Sequence, residues 1–254
     1  ISSTGSPASA DVAAYVISVA GGADINYDFT YVGGMLTVNK TPLIATADNK
    51  TKVYGSSNPV LSISYSGFKN GENTSVLDAL PVAETVANMN SDAGNYDINA
   101  TGAADGNYSF IYNKGTLVIY KADQVITFAK IPDGLRISQE YQLKGAASSG
   151  LPVSFKASNP NTGILNSNLL TVNKDGILTI MAMQEGDHNW NPAPVVIQSI
   201  VTLPTFDNIT SLFTPNNDGM NDYWYIPDLE QYGRLQVTVY NRFGQIVYKS
   251  DSYK

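Results

Sequence analysis

Along most of this 254-residue chain, apolar and polar residues alternate with a period of two, in short runs broken by Gly, Asn, Asp and Pro. That period sends successive side chains to opposite faces of an extended strand, so the pattern predicts half-buried β-strands joined by turns. The stretch "YDINATGAADGNYSFIYNKGTLVIYK" (96–121) shows it best: alternation, a break at Ala104-Asp105-Gly106-Asn107, alternation again, a turn at Asn113-Lys114-Gly115, and a closing strand. Tyr108, Phe110 and Tyr112 fall at i, i+2 and i+4, and Leu117 and Ile119 repeat the spacing on the next strand, so both sets are expected to fill a core. No run carries a continuous helical period.

The same segment occurs twice. Asp11–Lys40 aligns without a gap on Asp92–Lys121, with Tyr15/Tyr96, Ile17/Ile98, Gly21/Gly102, Asp24/Asp105, Asn26/Asn107, Tyr27/Tyr108, Phe29/Phe110, Tyr31/Tyr112, Gly34/Gly115 and Leu36/Leu117 shared. Such self-similarity at one fixed spacing marks a tandem array of small units. The first copy is the back half of a unit (1–40) and the second is whole (41–121). After Ala122 the strands change character ("QVITFAKIPD", "YQLKGAASSGLPVSFKAS", "GILTIMAMQEGDHNWNPAPVVIQSIVTL") at the intervals of a sandwich, which makes 122–203 a third unit and leaves 204–254 as a tail. Short linkers are expected at Asn39–Pro42 and Thr202–Asn208.

Composition narrows the function. A net charge of −7 with 15 Lys and Arg and no basic cluster argues against nucleic acid or an anionic bilayer as partner. The absence of cysteine removes disulfides, zinc ribbons and thiol catalysis. Apolar runs are too short to cross a membrane as helices. "ISSTGSPASA" has neither a charged start nor an apolar stretch, so it does not read as a signal peptide, and the chain reads as an internal or C-terminal piece of something longer.

Catalytic patterns are missing. The single histidine, His188, sits in Gly-Asp-His-Asn-Trp with no second His or Cys to complete a site. Strand neighbours point to opposite faces, so His188 and Asp187 do not form an acid-base pair. The segment reads as a turn, with Trp190 plugging a core. There is no Gly-x-Ser-x-Gly elbow, phosphate loop or dinucleotide fingerprint, and the sparse carboxylates (Asp24, Asp105, Asp175, Asp187) fall in turns. No enzyme activity is expected of this segment.

Three resemblances follow from particular residues. "TADNKTKVYGSSNP", "YSGFKNGE", "DAGNYDI" and "NYSFIYNKGTLVIYK" resemble the MBG domain of the YGX type, a repeat of bacterial surface proteins. "ITFAKIP", "SSGLPVSF" and "GILTIMAMQEGDHNWNPAPVV" resemble a bacterial Ig-like repeat. In the tail, Phe213-Thr214-Pro215-Asn216, Asp218-Gly219, Asn221-Asp222, Trp224 and "LQVTVYNRFGQIVYKS" with Tyr240, Asn241 and Gly244 resemble the type B C-terminal sorting domain of the Bacteroidetes type IX secretion system, also called the gliding-motility-associated domain. Where that family continues into a Trp-Asp-Gly turn and a Tyr-rich hairpin, this sequence stops at Lys254.

The resemblances imply an all-β chain of tandem small β-sandwich or Ig-like domains in an elongated array, ending in an incomplete β-sandwich sorting domain. They imply transport to the cell surface through the outer membrane, with the type IX translocon and a PorV-like shuttle barrel as partners, and a plan like that of SprB-like gliding adhesins. The alternatives are the spacer and sorting tail of a secreted enzyme, such as a polysaccharide hydrolase, whose catalytic domain lies upstream, or a glycan-binding module using exposed aromatics. "LQVTVY" and "QIVYKS" should pair as a hairpin around Asn241–Gly244 with Gly244 at positive φ, exposing an edge onto which another surface protein's strand would add. The Asn/Asp cluster reads as consecutive turns. The competing reading is a Ca²⁺ loop through Asn216, Asp218 and Asp222, which lacks a bidentate Glu at the expected spacing. No cofactor is otherwise implied.

Overall fold

The computed structural model describes residues 1–205 and 235–253. They form an all-β protein whose one helical element is a 3-10 turn at Thr74–Val76, and contacts divide the chain into two units.

The first unit comprises residues 1–126, 147–152 and 184–194. Its centre is the whole repeat, built from β3 (Thr41–Ala47), β4 (Lys50–Val53), β5 (Ile63–Ser66), β6 (Val82–Glu84), β7 (Gly94–Thr101), β8 (Tyr108–Asn113) and β9 (Gly115–Tyr120). These make a sandwich of two sheets, ordered β5-β3-β8 and β4-β9-β7-β6. The chain changes sheet across two very short turns, Asp48-Asn49 and Lys114, and the strands on either side of them pair in parallel: β3 with β8 before the turns, and β4 with β9 after them. Between the sheets lie Leu43, Ala45 and Ala47 of β3, Ile98 and Ala100 of β7, and Leu117 and Ile119 of β9, each at most 4% exposed. The alternating pattern therefore delivers its inward residues to one core.

The half repeat folds in the register of the whole one. β1 (Ala14–Ile17) pairs with β2 (Gly34–Thr37) through Tyr15↔Leu36 and Ile17↔Gly34, as β7 pairs with β9 through Tyr96↔Leu117 and Ile98↔Gly115. Phe29 stacks on Tyr31 as Phe110 stacks on Tyr112, with interplanar angles of 14° and 13°. Tyr27 is 72% exposed, whereas its counterpart Tyr108, which meets Phe68 edge-on and donates to Glu72, is 3% exposed.

Several expectations are corrected. The aromatic stripe is graded: Tyr108 is core, Phe110 is half-buried and Tyr112 is exposed, its hydroxyl accepting from the Ala103 amide. Thr41 and Pro42 belong to β3 and are not linker. Pro42 is tolerated because β5 pairs only with Ile44–Ala47, so the missing N–H falls outside that ladder. Thr202 is likewise no linker residue: it ends a strand, is 2% exposed, and donates to the carbonyls of Lys174 and Gly176.

Asp48, in the turn between β3 and β4, accepts from the Ser62 and Ser64 hydroxyls at 2.5 and 2.6 Å, which holds its carboxyl below the usual range. A depressed folded-state pKa adds stability above the ordinary Asp value of about 3.9, and that stability is lost as pH falls through the lower folded-state value. Asp48→Asn should therefore flatten the acid limb: urea melts at pH 6 and pH 3 should differ less for the variant than for the parent.

The second unit comprises 127–146, 153–183 and 195 onward. β11 (Glu140–Gln142), β14 (Gly163–Asn166) and β15 (Leu169–Val172) form one antiparallel sheet, and β13 (Ser154–Ala157), β16 (Gly176–Met183) and β17 (Val196–Thr202) another. β10 (Ile126–Phe128) and β12 (Gly145–Ala147) are short accessory strands. Ile131, Leu135, Leu143, Leu170, Val172, Leu178, Ile180 and Ile200 make the core, with Phe128 and Phe155 against it. The unit ends in β18 (Leu235–Tyr240) and β19 (Ile246–Tyr253), a separate two-stranded sheet.

Candidate functional site

Of the residues that the sequence marks for sorting, Phe213, Thr214, Pro215, Asn216, Asp218, Gly219, Asn221, Asp222 and Trp224 lie outside the described residues, and with them the three Ca²⁺ candidates Asn216, Asp218 and Asp222. Tyr240, Asn241 and Gly244 are described, and they sit together at the tip of the β18–β19 hairpin. Asn241 organises that turn. Its side-chain oxygen accepts from the amides of Phe243 (2.9 Å) and Gln245 (3.0 Å), its own amide donates to the Gln245 carbonyl (2.8 Å), and its carbonyl accepts from Gly244 (3.0 Å). Gly244 has φ +80, as the turn chemistry requires of the residue there. Tyr240 closes the ladder opposite Ile246.

The hairpin presents apolar surface at Tyr240, Phe243, Ile246, Val247 and Tyr248. The Arg242 guanidinium lies 4.9 Å from the Phe243 ring centre. Among the described residues its sheet has two strands, β18 and β19.

A second constellation escaped the sequence reading. His188 lies in a turn, as expected, and is exposed. Trp190, however, does not plug a core: it is half-buried, bridges to Ala122 and meets Tyr54 edge-on at 5.9 Å. The purpose of Asp187-His188-Asn189-Trp190 becomes visible through Asp187 and Asn189. The Asp187 carboxylate accepts from the amides of Asn189 (2.8 Å) and Trp190 (2.9 Å), folding the loop. The Asn189 side chain then reaches to a turn of the preceding repeat, accepting from the Ala93 amide and donating to the Asp92 carboxylate, each at 2.8 Å. Lys121 donates to the Asp187 carbonyl (2.6 Å), and the Ala122 amide to the Asn189 carbonyl (2.9 Å).

All six bonds recur one repeat earlier. Asp105 accepts from Asn107 (2.7 Å) and Tyr108 (2.9 Å), Asn107 accepts from the Val12 amide and donates to Asp11 (both 2.8 Å), Lys40 donates to the Asp105 carbonyl (2.7 Å), and Thr41 to the Asn107 carbonyl (2.9 Å). Both sets lie within the first unit. The signal was present in the sequence as Asp-x-Asn-aromatic at 24–27, 105–108 and 187–190, but nothing local said what the Asn would grip.

The second unit also carries an open groove of about 790 Å³. Lys144, Gln142, Asn168, Ser154 and Phe155 line it, with no carboxylate among the lining residues. No group of three or more His, Cys, Asp or Glu is placed to hold a metal among the described residues.

Comparison with known proteins adds two matches. Residues 43–118 match the MBG domain of the YGX type, and residues 207–254 match the CHU_C type IX secretion signal domain. No curated protein matches the chain. Among solved structures it is similar to Sidekick-1 immunoglobulin domains 1–4 (13% identity, TM-score 0.35, covering 77% of this chain and 59% of that one). It is also similar to human mucin-like protocadherin EC1-2 (9%, 0.28, 63% and 98%) and Drosophila N-cadherin EC1-4 (11%, 0.27, 77% and 59%). The chain thus spans 59% of the Sidekick-1 four-domain structure and 47% of the five-domain one.

Proposed function

We propose that this type IX secretion cargo, with an MBG domain at 43–118 and a sorting signal at 207–254, is the stalk and export tail of a large cell-surface adhesin. The match over 207–254 carries the reading, because a type IX secretion signal is what routes a chain out of the cell. The rest of the chain supports a spacer: small β-sheet folds in which Asn–Asp contacts repeat from one repeat to the next. In this reading the translocon and a PorV-like barrel receive the tail, with Phe213–Trp224 and the Tyr240–Gly244 tip as the recognised features. The stalk then holds a distal adhesive region away from the outer membrane, as a gliding machine would require.

The test is proteolysis of intact cells. Proteinase K added outside should digest the 41–121 repeat while a periplasmic marker stays whole, and loss of the protein should reduce attachment or gliding. Protection of the repeat in unbroken cells would sink the surface placement. Normal attachment together with loss of a polysaccharide-degrading activity would replace the adhesin by a secreted enzyme.

A further inference from the structure

The Asp-x-Asn-aromatic loop occurs three times, and two copies are filled in the same way. Asn107 and Asn189 each take one backbone amide and one carboxylate oxygen from a turn whose Asp starts the second half of the preceding repeat. The Lys that ends that same half, Lys40 or Lys121, donates to the loop's first carbonyl. The third copy is Asp24-Ile25-Asn26-Tyr27. One of its two internal bonds is formed, the Asn26 amide donating to Asp24 Oδ1 at 2.8 Å, as Asn107 and Asn189 donate to Asp105 and Asp187. Its Asn26 side chain, by contrast, holds nothing among the described residues.

We propose that Asp24–Tyr27 is the receiving half of an inter-repeat clasp, and that its occupant is the Asp turn and terminal Lys of one further MBG-type repeat in the same chain. Three complementary requirements define that partner. Asn26 Oδ1 needs an N–H donor, Asn26 Nδ2 needs a carboxylate beside that donor, and the Asp24 carbonyl needs an ammonium. A turn of the Asp11-Val12 or Asp92-Ala93 kind with its Lys meets all three. A second copy of this chain does not, because its two Asp turns are already held by Asn107 and Asn189. The clasp combines neutral and charge-assisted hydrogen bonds, so losing the Asn side chain should have a measurable effect on the amide it covers.

The experiment places a repeat where the clasp requires one. Ile1–Ala10 of the full chain is replaced by a copy of residues 41–121 followed by a copy of 41–91, which completes the first repeat and sets another ahead of it. Amide hydrogen exchange then reads the added copy's Ala93. That amide should be protected, and Asn26→Ala should speed its exchange about tenfold, as Asn107→Ala should for Val12 in the natural chain. Equal exchange with and without Asn26, or no response of Val12 to Asn107→Ala, overturns the proposal. Should the extended chain fail to fold, the gene sequence decides. It is expected to encode an Asp as far before Asp11 as Asp11 stands before Asp92, followed by a Lys at the spacing that separates Lys40 from Asp11. A coding sequence without that pair refutes the assignment.

Discussion

Deleting the chain from Phe206 onward should abolish its appearance at the cell surface and in the medium, leaving it in the periplasmic fraction. The deletion removes the whole segment that matches the type IX secretion signal and spares the MBG match and the cores of both units. The retained part should therefore stay folded, and failure of export would report loss of the signal rather than misfolding. Fractionation of cells with a working type IX system, followed by immunoblotting for the 41–121 repeat, checks it. Undiminished surface protein would remove the sorting role from the tail. A milder version, Asn241→Ala, deletes the acceptor for the Phe243 and Gln245 amides. It should lower export without eliminating it if the shape of the hairpin tip is what the machinery reads.

Gly115→Ala should be the most damaging single small substitution in the whole repeat, and Gly34→Ala, at the equivalent position of the half repeat, should be nearly silent. A methyl on Gly115 would run into the carbonyl oxygen of Ala47 and lie 2.9 Å from that of Asp48. Backbone cannot step aside as a side-chain tip can, so β3 and β9 would have to separate, at a cost of roughly 2–3 kcal/mol. On Gly34 the same methyl would meet only the Ile17 side chain, 3.6 Å away, at ordinary contact distance. A cost below about 0.5 kcal/mol is expected there. Chemical denaturation of the two variants decides it, and equal losses would show that the Gly115 contact does not control the packing of the repeat.

This pair also marks how far the sequence could be read. The gap-free self-alignment predicted that Gly34 and Gly115 occupy the same place, and the ladders Ile17↔Gly34 and Ile98↔Gly115 agree. Alternation likewise placed Leu117 and Ile119 in the core. The parallel partners of β3 and β8, and of β4 and β9, were not legible. A strand's period fixes which face is buried but says nothing about the direction of a neighbour far along the chain. Trp190 was misplaced for a related reason: a large aromatic after a turn announces burial, while the identity of its cover, here Tyr54, depends on the preceding repeat. The turn at Asn241–Gly244, by contrast, was legible because its chemistry is local: an Asn that takes nearby amides and a Gly at positive φ.

The two parallel ladders have a mechanical meaning. Tension on a surface protein would enter the whole repeat near Thr41 and leave it near Lys121. β3 opens the repeat and is laid parallel to β8 over six paired positions, and β9 closes it and is laid parallel to β4 over four. Parallel strands pulled from opposite ends slide past each other, so the bonds of a ladder resist together and must break as a group. An antiparallel hairpin pulled from its two free ends unzips one bond at a time. The order of strands in this repeat thus suits it to withstand stretching, and single-molecule pulling of the chain should find the 41–121 repeat giving way at higher force than the β18–β19 hairpin.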